Sequence, residues 1–211
     1  MSSTISTMTT SRRGRLPSSE RAAREASILA AAQTALVELG AEHVTMLDVA
    51  RRAGASKQTL YSWFGDRDGL LTAIIRHNAD QTAATIEHAL DSDADPVATL
   101  TGFAVGLLTL LTRPESIALN RAAMSSPALA AELLASGRHR VGPIVERYLA
   151  ELDARGQLAI DDPSDAFTVL YANVVRDTQI VVLLGAAPPS EPAIRRRAQR
   201  AVDDFVNRYA P

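Results

Sequence analysis

Two helix-start signals, Thr45 and Ser56, stand only eleven residues apart with Gly54 between them, and they constrain this chain more than any other feature. Thr45 is followed three residues later by Asp48, a variant of the capping box in which a hydroxyl accepts from an orphan backbone amide. The short helix opened there runs through Val49 and Ala53 and stops at Gly54, because glycine reverses the backbone at least steric cost. Ser56 then occupies an N-cap position ahead of another short helix over Lys57 to Trp63. Two short helices joined by so tight a turn make a helix-turn-helix.

The rest of the chain is helical in pattern as well. Ser19 can cap a helix over about 19–39, in which Ile28, Ala32, Leu36 and Leu39 recur at helical spacing before Gly40. Asp66 can cap a long helix over 67–90, which fades at the acidic loop Asp91 to Asp95. Pro96 and Pro114 suit helix starts for segments at about 96–112 and from 114. Further helices are expected at about 127–135, 138–155, 163–185 and 190–209, the last two with apolar stripes. No segment shows the alternation of a half-buried strand over a useful length, so the fold expected is all-α.

Charge divides the chain. Residues 1–67 hold nine Lys or Arg against six Asp or Glu, a net of +3, and the remainder holds thirteen against eighteen, a net of −5. The N-terminal third is therefore the part suited to a polyanion. Met1 to Thr10 lacks the apolar core of a secretory signal, and no uncharged apolar run reaches the length of a membrane span, so a cytoplasmic chain without a membrane partner is expected. The absence of cysteine excludes disulfides, thiolate metal sites and thiol nucleophiles.

Enzyme motifs are missing too. None of His43, His77, His88 and His139 has Glu three residues before it, which disfavours a di-iron bundle. The zinc-protease pattern, a phosphate loop and a serine elbow are absent, so neither catalysis nor a cofactor is implied.

In a helix-turn-helix, residues near the start of the second helix meet base edges in the major groove. Here these are Lys57, Gln58, Thr59, Ser62 and Trp63. Lys57 can donate to guanine, Gln58 can pair with adenine, and the Thr59 methyl can touch thymine. Thr45, Tyr61 and Arg67 suit phosphates, while Leu60 and Phe64 point to the core. A plain helical hairpin with a solvated polar face fits the same residues.

Between about Ala26 and Leu71 the chain resembles the DNA-binding signature of the tetracycline-repressor (TetR) family. The resemblance rests on Ile28-Leu29-Ala30-Ala31-Ala32, Gly40, Thr45, Asp48-Val49-Ala50, Ala53-Gly54, Ser56-Lys57, Thr59-Leu60-Tyr61 and Phe64. Departures are Ala55 for a frequent valine, the bulky Trp63, and Arg67 for a frequent lysine. The resemblance implies a helix-turn-helix domain at 19–66, and a larger ligand-binding and dimerising domain at 67–211 whose first helix, 67–90, connects the two. It also implies a homodimer through 163–185 and 190–209, a near-palindromic operator, and repression relieved by a small effector. The stripes on those last helices equally suit an ordinary core.

Two further sites are expected. Residues 1–18 read as a disordered basic arm in which Arg12, Arg13 and Arg15 can enter a narrow minor groove, or as a plain soluble tail. Phe103, Leu107, Met124, Tyr148, Phe167 and Tyr171 can line an apolar pocket for an apolar or amphipathic effector, with Arg121 and Asn173 as polar anchors. Each can equally be a core residue. Gly102 and Gly106, one turn apart, suit close helix packing better than cavity space. The competing function is a helical protein-interaction module without DNA sequence preference.

Overall fold

The computed structural model describes residues 18–90 and 95–211, which form helices and no strand. The arm arginines Arg12, Arg13 and Arg15 and most of the acidic loop lie outside the described residues. The first four helices are α1 (Ser18–Leu39), α2 (Met46–Arg52), α3 (Lys57–Phe64) and α4 (Arg67–Leu90). Then come α5 (Pro96–Thr112), α6 (Pro114–Ala123), α7 (Pro127–Ser136) and α8 (Arg138–Ala154). The chain ends with α9 (Pro163–Val175), α10 (Thr178–Leu183) and α11 (Glu191–Arg208).

The caps explain the boundaries. Thr45 Oγ1 accepts from the Asp48 amide and donates to the Asp48 carboxylate, and Ser56 Oγ accepts from the Thr59 amide. Gly54, between them, has φ 58°, a conformation that costs an L side chain strain. Gly69 is needed for another reason: a Cβ there would meet the Phe64 carbonyl oxygen at 1.9 Å, so only glycine lets α4 start against the end of α3. Because the Thr45 hydroxyl serves an orphan amide of a seven-residue helix, Thr45→Ala should cost about 1 kcal/mol, measured by urea unfolding. A change below about 0.3 kcal/mol would show that packing alone holds α2 in place.

Two apolar clusters organise the molecule. The head cluster joins Ile28, Ala32 and Leu36 of α1, Val49 of α2 and Leu60 of α3 with Leu70, Leu71, Ile74 and Ile75 of α4. Ala118, Leu119, Ala122 and Ala123 of α6 and Leu129 of α7 complete it. The body cluster is built on α5, whose Leu100, Ala104 and Leu108 pack with α9 and α11 in a core that also takes in residues of α8. Arg76 ties α4 to α7 through a two-pronged contact with Glu132, at 3.0 and 2.8 Å. That contact, with the Ser136 hydroxyl, holds the Glu132 carboxyl below the usual range.

Two sequence expectations change, and the α11 stripe takes one of the two roles that the sequence left open. Ser19 lies inside the first turn of α1, which already includes Ser18, so it does not cap that helix. The segment 163–185 is not one helix: it breaks at Arg176, which has φ 47° and whose amide still bonds the Ala172 carbonyl. The break lets Val174 and Val175 before it, and Val182 after it, all face inward. The α11 stripe of Ile194, Ala198, Val202 and Phe205 is buried within the chain's own body cluster.

Candidate nucleic-acid interface and adjoining cavity

The outward face of α3 carries Lys57, Gln58, Tyr61 and Ser62, all exposed, while Leu60 is fully buried beneath them. Lys57 Nζ sits 5.5 Å from the centre of the Tyr61 ring, so the ammonium and the phenol are held together on one patch. Thr59 is half-buried, with its hydroxyl 2.8 Å from that of Ser56. Trp63 is half-buried against the head cluster, edge-on to Phe64, with the Arg21 guanidinium 5.2 Å from its ring centre. The bulky indole is thus partly spent on packing.

The residues suited to phosphates differ in freedom. Tyr61 is 46% exposed, and its hydroxyl makes no hydrogen bond among the described residues. Thr45 is committed to its cap, and Arg67 donates to the Ala41 carbonyl and pairs with Asp68 at 3.3 Å. Residues from α1 also reach this region, which local sequence patterns did not reveal. Arg24 Nη2 donates to the Gly54 carbonyl at 2.7 Å, fastening the turn of the helix-turn-helix to α1. The partners lie 30 residues apart, so no local pattern could have signalled the bond.

Behind the head lies a cavity of about 860 Å³, inside the range that binds drug-sized molecules. Of the pocket residues expected from sequence, Phe103, Leu107, Met124, Phe167 and Tyr171 line it. Burial pushes the Tyr171 phenol up from its ordinary value, against the opposing pull of Arg138. Arg121, Tyr148 and Asn173 are not among the lining residues. Arg121 instead donates to the Leu183 carbonyl at 2.9 Å, tying α6 to the end of α10. Tyr148 is buried in the body cluster, where desolvation raises its phenol, and Asn173 is half-buried two residues beyond Tyr171, on another side of α9.

The sequence reading missed the α4 wall. Ile75, Asn78, Thr82 and Ile86 line the cavity at three- and four-residue spacing, a pattern present in the sequence but shared with any amphipathic helix. Gly102 and Gly106 also line it, and a Cβ on either would meet nothing within 4 Å. They leave space and do not bring helices together, the reverse of the expectation. Among the described residues no group of acidic or histidine side chains could hold a metal, and no single helix is long and apolar enough to cross a membrane.

Comparison with known proteins agrees with this layout. Residues 28–74 match the model of bacterial regulatory proteins of the tetR family, and residues 98–211 match that of the AefR-like transcriptional repressor C-terminal domain. The HTH-type transcriptional regulator AlkX of Mycobacterium tuberculosis is 36% identical over 81 residues, 37% of this chain and 38% of that protein. The HTH-type transcriptional regulator BetI of Burkholderia thailandensis is 41% identical over 76 residues, 35% of this chain and 39% of that protein. The chain therefore spans under two fifths of the length of these curated relatives.

Solved structures extend the likeness to nearly the whole chain. A TetR transcriptional regulator from Agrobacterium tumefaciens superposes with a TM-score of 0.71 at 32% identity, covering 88% of this chain and 94% of its own. The SmeT–triclosan complex shares the fold, with a TM-score of 0.70 at 22% identity and coverage of 90% and 92%. The matched family and relatives are transcriptional regulators, not enzymes. With the amino-terminal model laid over the helix-turn-helix, the carboxy-terminal model over the cavity-bearing body, and a 32%-identical relative along almost all of it, the chain belongs to the TetR family of helix-turn-helix transcriptional regulators.

Proposed function

We propose that the chain is a repressor that occupies a near-palindromic operator as a homodimer and leaves it when a small apolar or amphipathic molecule fills the cavity. The observation that carries this reading is the double allegiance of α6. Leu119 and Ala123 belong to the head cluster and also line the cavity, flanked by Ala118 and Ala122 on the head side and Ser116 and Asn120 on the cavity side. Ile75 of α4 is shared in the same way. A ligand that prefers one arrangement of α6 and α4 must therefore bias the attitude of the head, and with it the spacing of two heads on successive major grooves.

At the operator, Lys57, Gln58 and Ser62 meet base edges, with Thr59 and Trp63 beside them. Tyr61 takes a phosphate, and Thr45 and Arg67 exchange their internal partners for the backbone. Regulators of this family bind operator DNA and small molecules and act as dimers. The mate is held through the outer faces of segments 163–185 and 190–209. Ile180, Val181 and Leu184 support that choice, since they form an exposed apolar patch on one side of α10, Leu184 being 81% exposed. Such a regulator works beside its DNA, in the cytoplasm.

Leu184→Asp tests this arrangement. Sedimentation should show wild type as a dimer placing two protomers on one selected duplex, and the variant as a monomer that binds it weakly. A variant that remains dimeric would move the interface elsewhere. A wild type that binds duplex DNA as a monomer would overturn the reading.

A further inference from the structure

We infer that the molecule fitting the cavity is an amphipathic anion, an apolar body carrying one carboxylate that Arg138 holds at the cavity edge. This rests on the reading of the cavity as the effector site. Of the lining residues described, two carry a formal charge, Arg113 and Arg138, and none is acidic. The remainder is mostly apolar, with uncharged polar groups such as Asn78, Thr82 and Asn120. A cavity so lined offers an anion fixed positive charge and, among its lining residues, holds no carboxylate to pair with a cation.

Arg138 is set up differently from its neighbours. Its guanidinium lies 4.6 Å from the centre of the Tyr171 ring and 5.8 Å from that of Phe167, two rings that stand edge-on to each other at 6.0 Å. It makes one long hydrogen bond, to Thr168 Oγ1 at 3.4 Å, and no ion pair among the described residues. Arg140, two residues on, is by contrast paired with Asp80 at 2.5 Å. A guanidinium laid on aromatic faces keeps its N–H donors in the plane of its edge, the geometry that meets a carboxylate two-pronged. Tyr171 adds a donor. A phenol is protonated at neutral pH, burial pushes this one further up, and its hydroxyl makes no hydrogen bond among the described residues. Arg113 makes a comparably long bond, to Ser116 Oγ at 3.3 Å, but has no aromatic ring seating its guanidinium among the described residues.

Calorimetric titration of the full chain with dodecanoate, dodecanol and dodecylammonium below their micelle concentrations tests the inference. Dodecanoate should bind about tenfold or more tighter than dodecanol, and dodecylammonium weakest. Arg138→Met keeps an unbranched apolar stem on Tyr171, and should bring dodecanoate to within about twofold of dodecanol while leaving dodecanol unchanged. Equal binding of dodecanoate and dodecanol to wild type, or a preference that survives in Arg138→Met but is lost in Arg113→Met, overturns the assignment. Gly102→Leu and Gly106→Leu separate the two levels, since each directs a side chain into open cavity space. If both probes bind equally and either filled variant loses both, the cavity reading stands and the anion fails. If dodecanoate binding survives in the filled variants, or wild type binds no probe, both fail.

Discussion

Replacing Lys57 and Tyr61 together by alanine is expected to lower operator affinity by about 2–3 kcal/mol per head, which for a dimer on two half-sites is on the order of a thousandfold or more. The physical case begins with their placement. Both side chains stand on the exposed face of α3, directly over a fully buried Leu60, so the backbone that carries them is fixed by the head core. Lysine supplies a charged donor for guanine or phosphate, and the phenol supplies a phosphate donor beside it. Losing their mutual contact is a surface effect, so stability should change by no more than about 0.5–1 kcal/mol. Fluorescence anisotropy with a labelled operator, beside a thermal melt, separates the two quantities. An affinity loss under about tenfold in a folded variant would mean that another element reads the DNA. The single Lys57→Ala variant adds detail: relaxed preference at one base pair marks a base contact, and a uniform loss marks a phosphate contact.

Phe205→Ala is expected to cost about 3–5 kcal/mol of stability, the usual range for emptying a buried phenylalanine site. Phe205 has no exposed surface; it packs from α11 into the body cluster, with its ring centre 4.8 Å from that of Tyr209. Tyr209 in turn accepts the Ala159 amide at 2.8 Å through its carbonyl, so the end of α11 is fastened by backbone as well as by rings. For a chain of this size the loss corresponds to a fall in melting temperature of roughly 6–20 °C, read by circular dichroism. The same variant decides what the α11 stripe is for. A loss below about 1 kcal/mol in the monomer, with dimerisation abolished, would make the stripe an intermolecular seam instead of a core.

What could be read from the sequence was what local chemistry determines. Thr45, Gly54 and Ser56 act within three or four residues of themselves, so the caps and turn of the helix-turn-helix were visible before any tertiary contact was known. The prolines at 96, 114, 127 and 163 mark helix starts for the same reason, a missing amide where none is needed. The break at Arg176 was hidden because neither glycine nor proline announces it; it follows from the burial of Val174, Val175 and Val182, a tertiary demand.

The cavity was half legible. Phe103, Leu107, Phe167 and Tyr171 fall on apolar helix faces, but those faces looked the same for Tyr148, which turned into the core. Arg121 illustrates the limit: its partner carbonyl at Leu183 is 62 residues away, and no spacing rule connects them. Gly102 and Gly106 needed the neighbouring helices in place before empty space could be told from close packing.

The most direct test of the central claim is selection from a random duplex library with the purified chain at moderate salt. The account predicts enrichment of one near-palindrome whose half-sites are spaced for two α3 helices, lost when Lys57 and Tyr61 are both alanine. No enriched sequence, with wild type and variant alike, would contradict it.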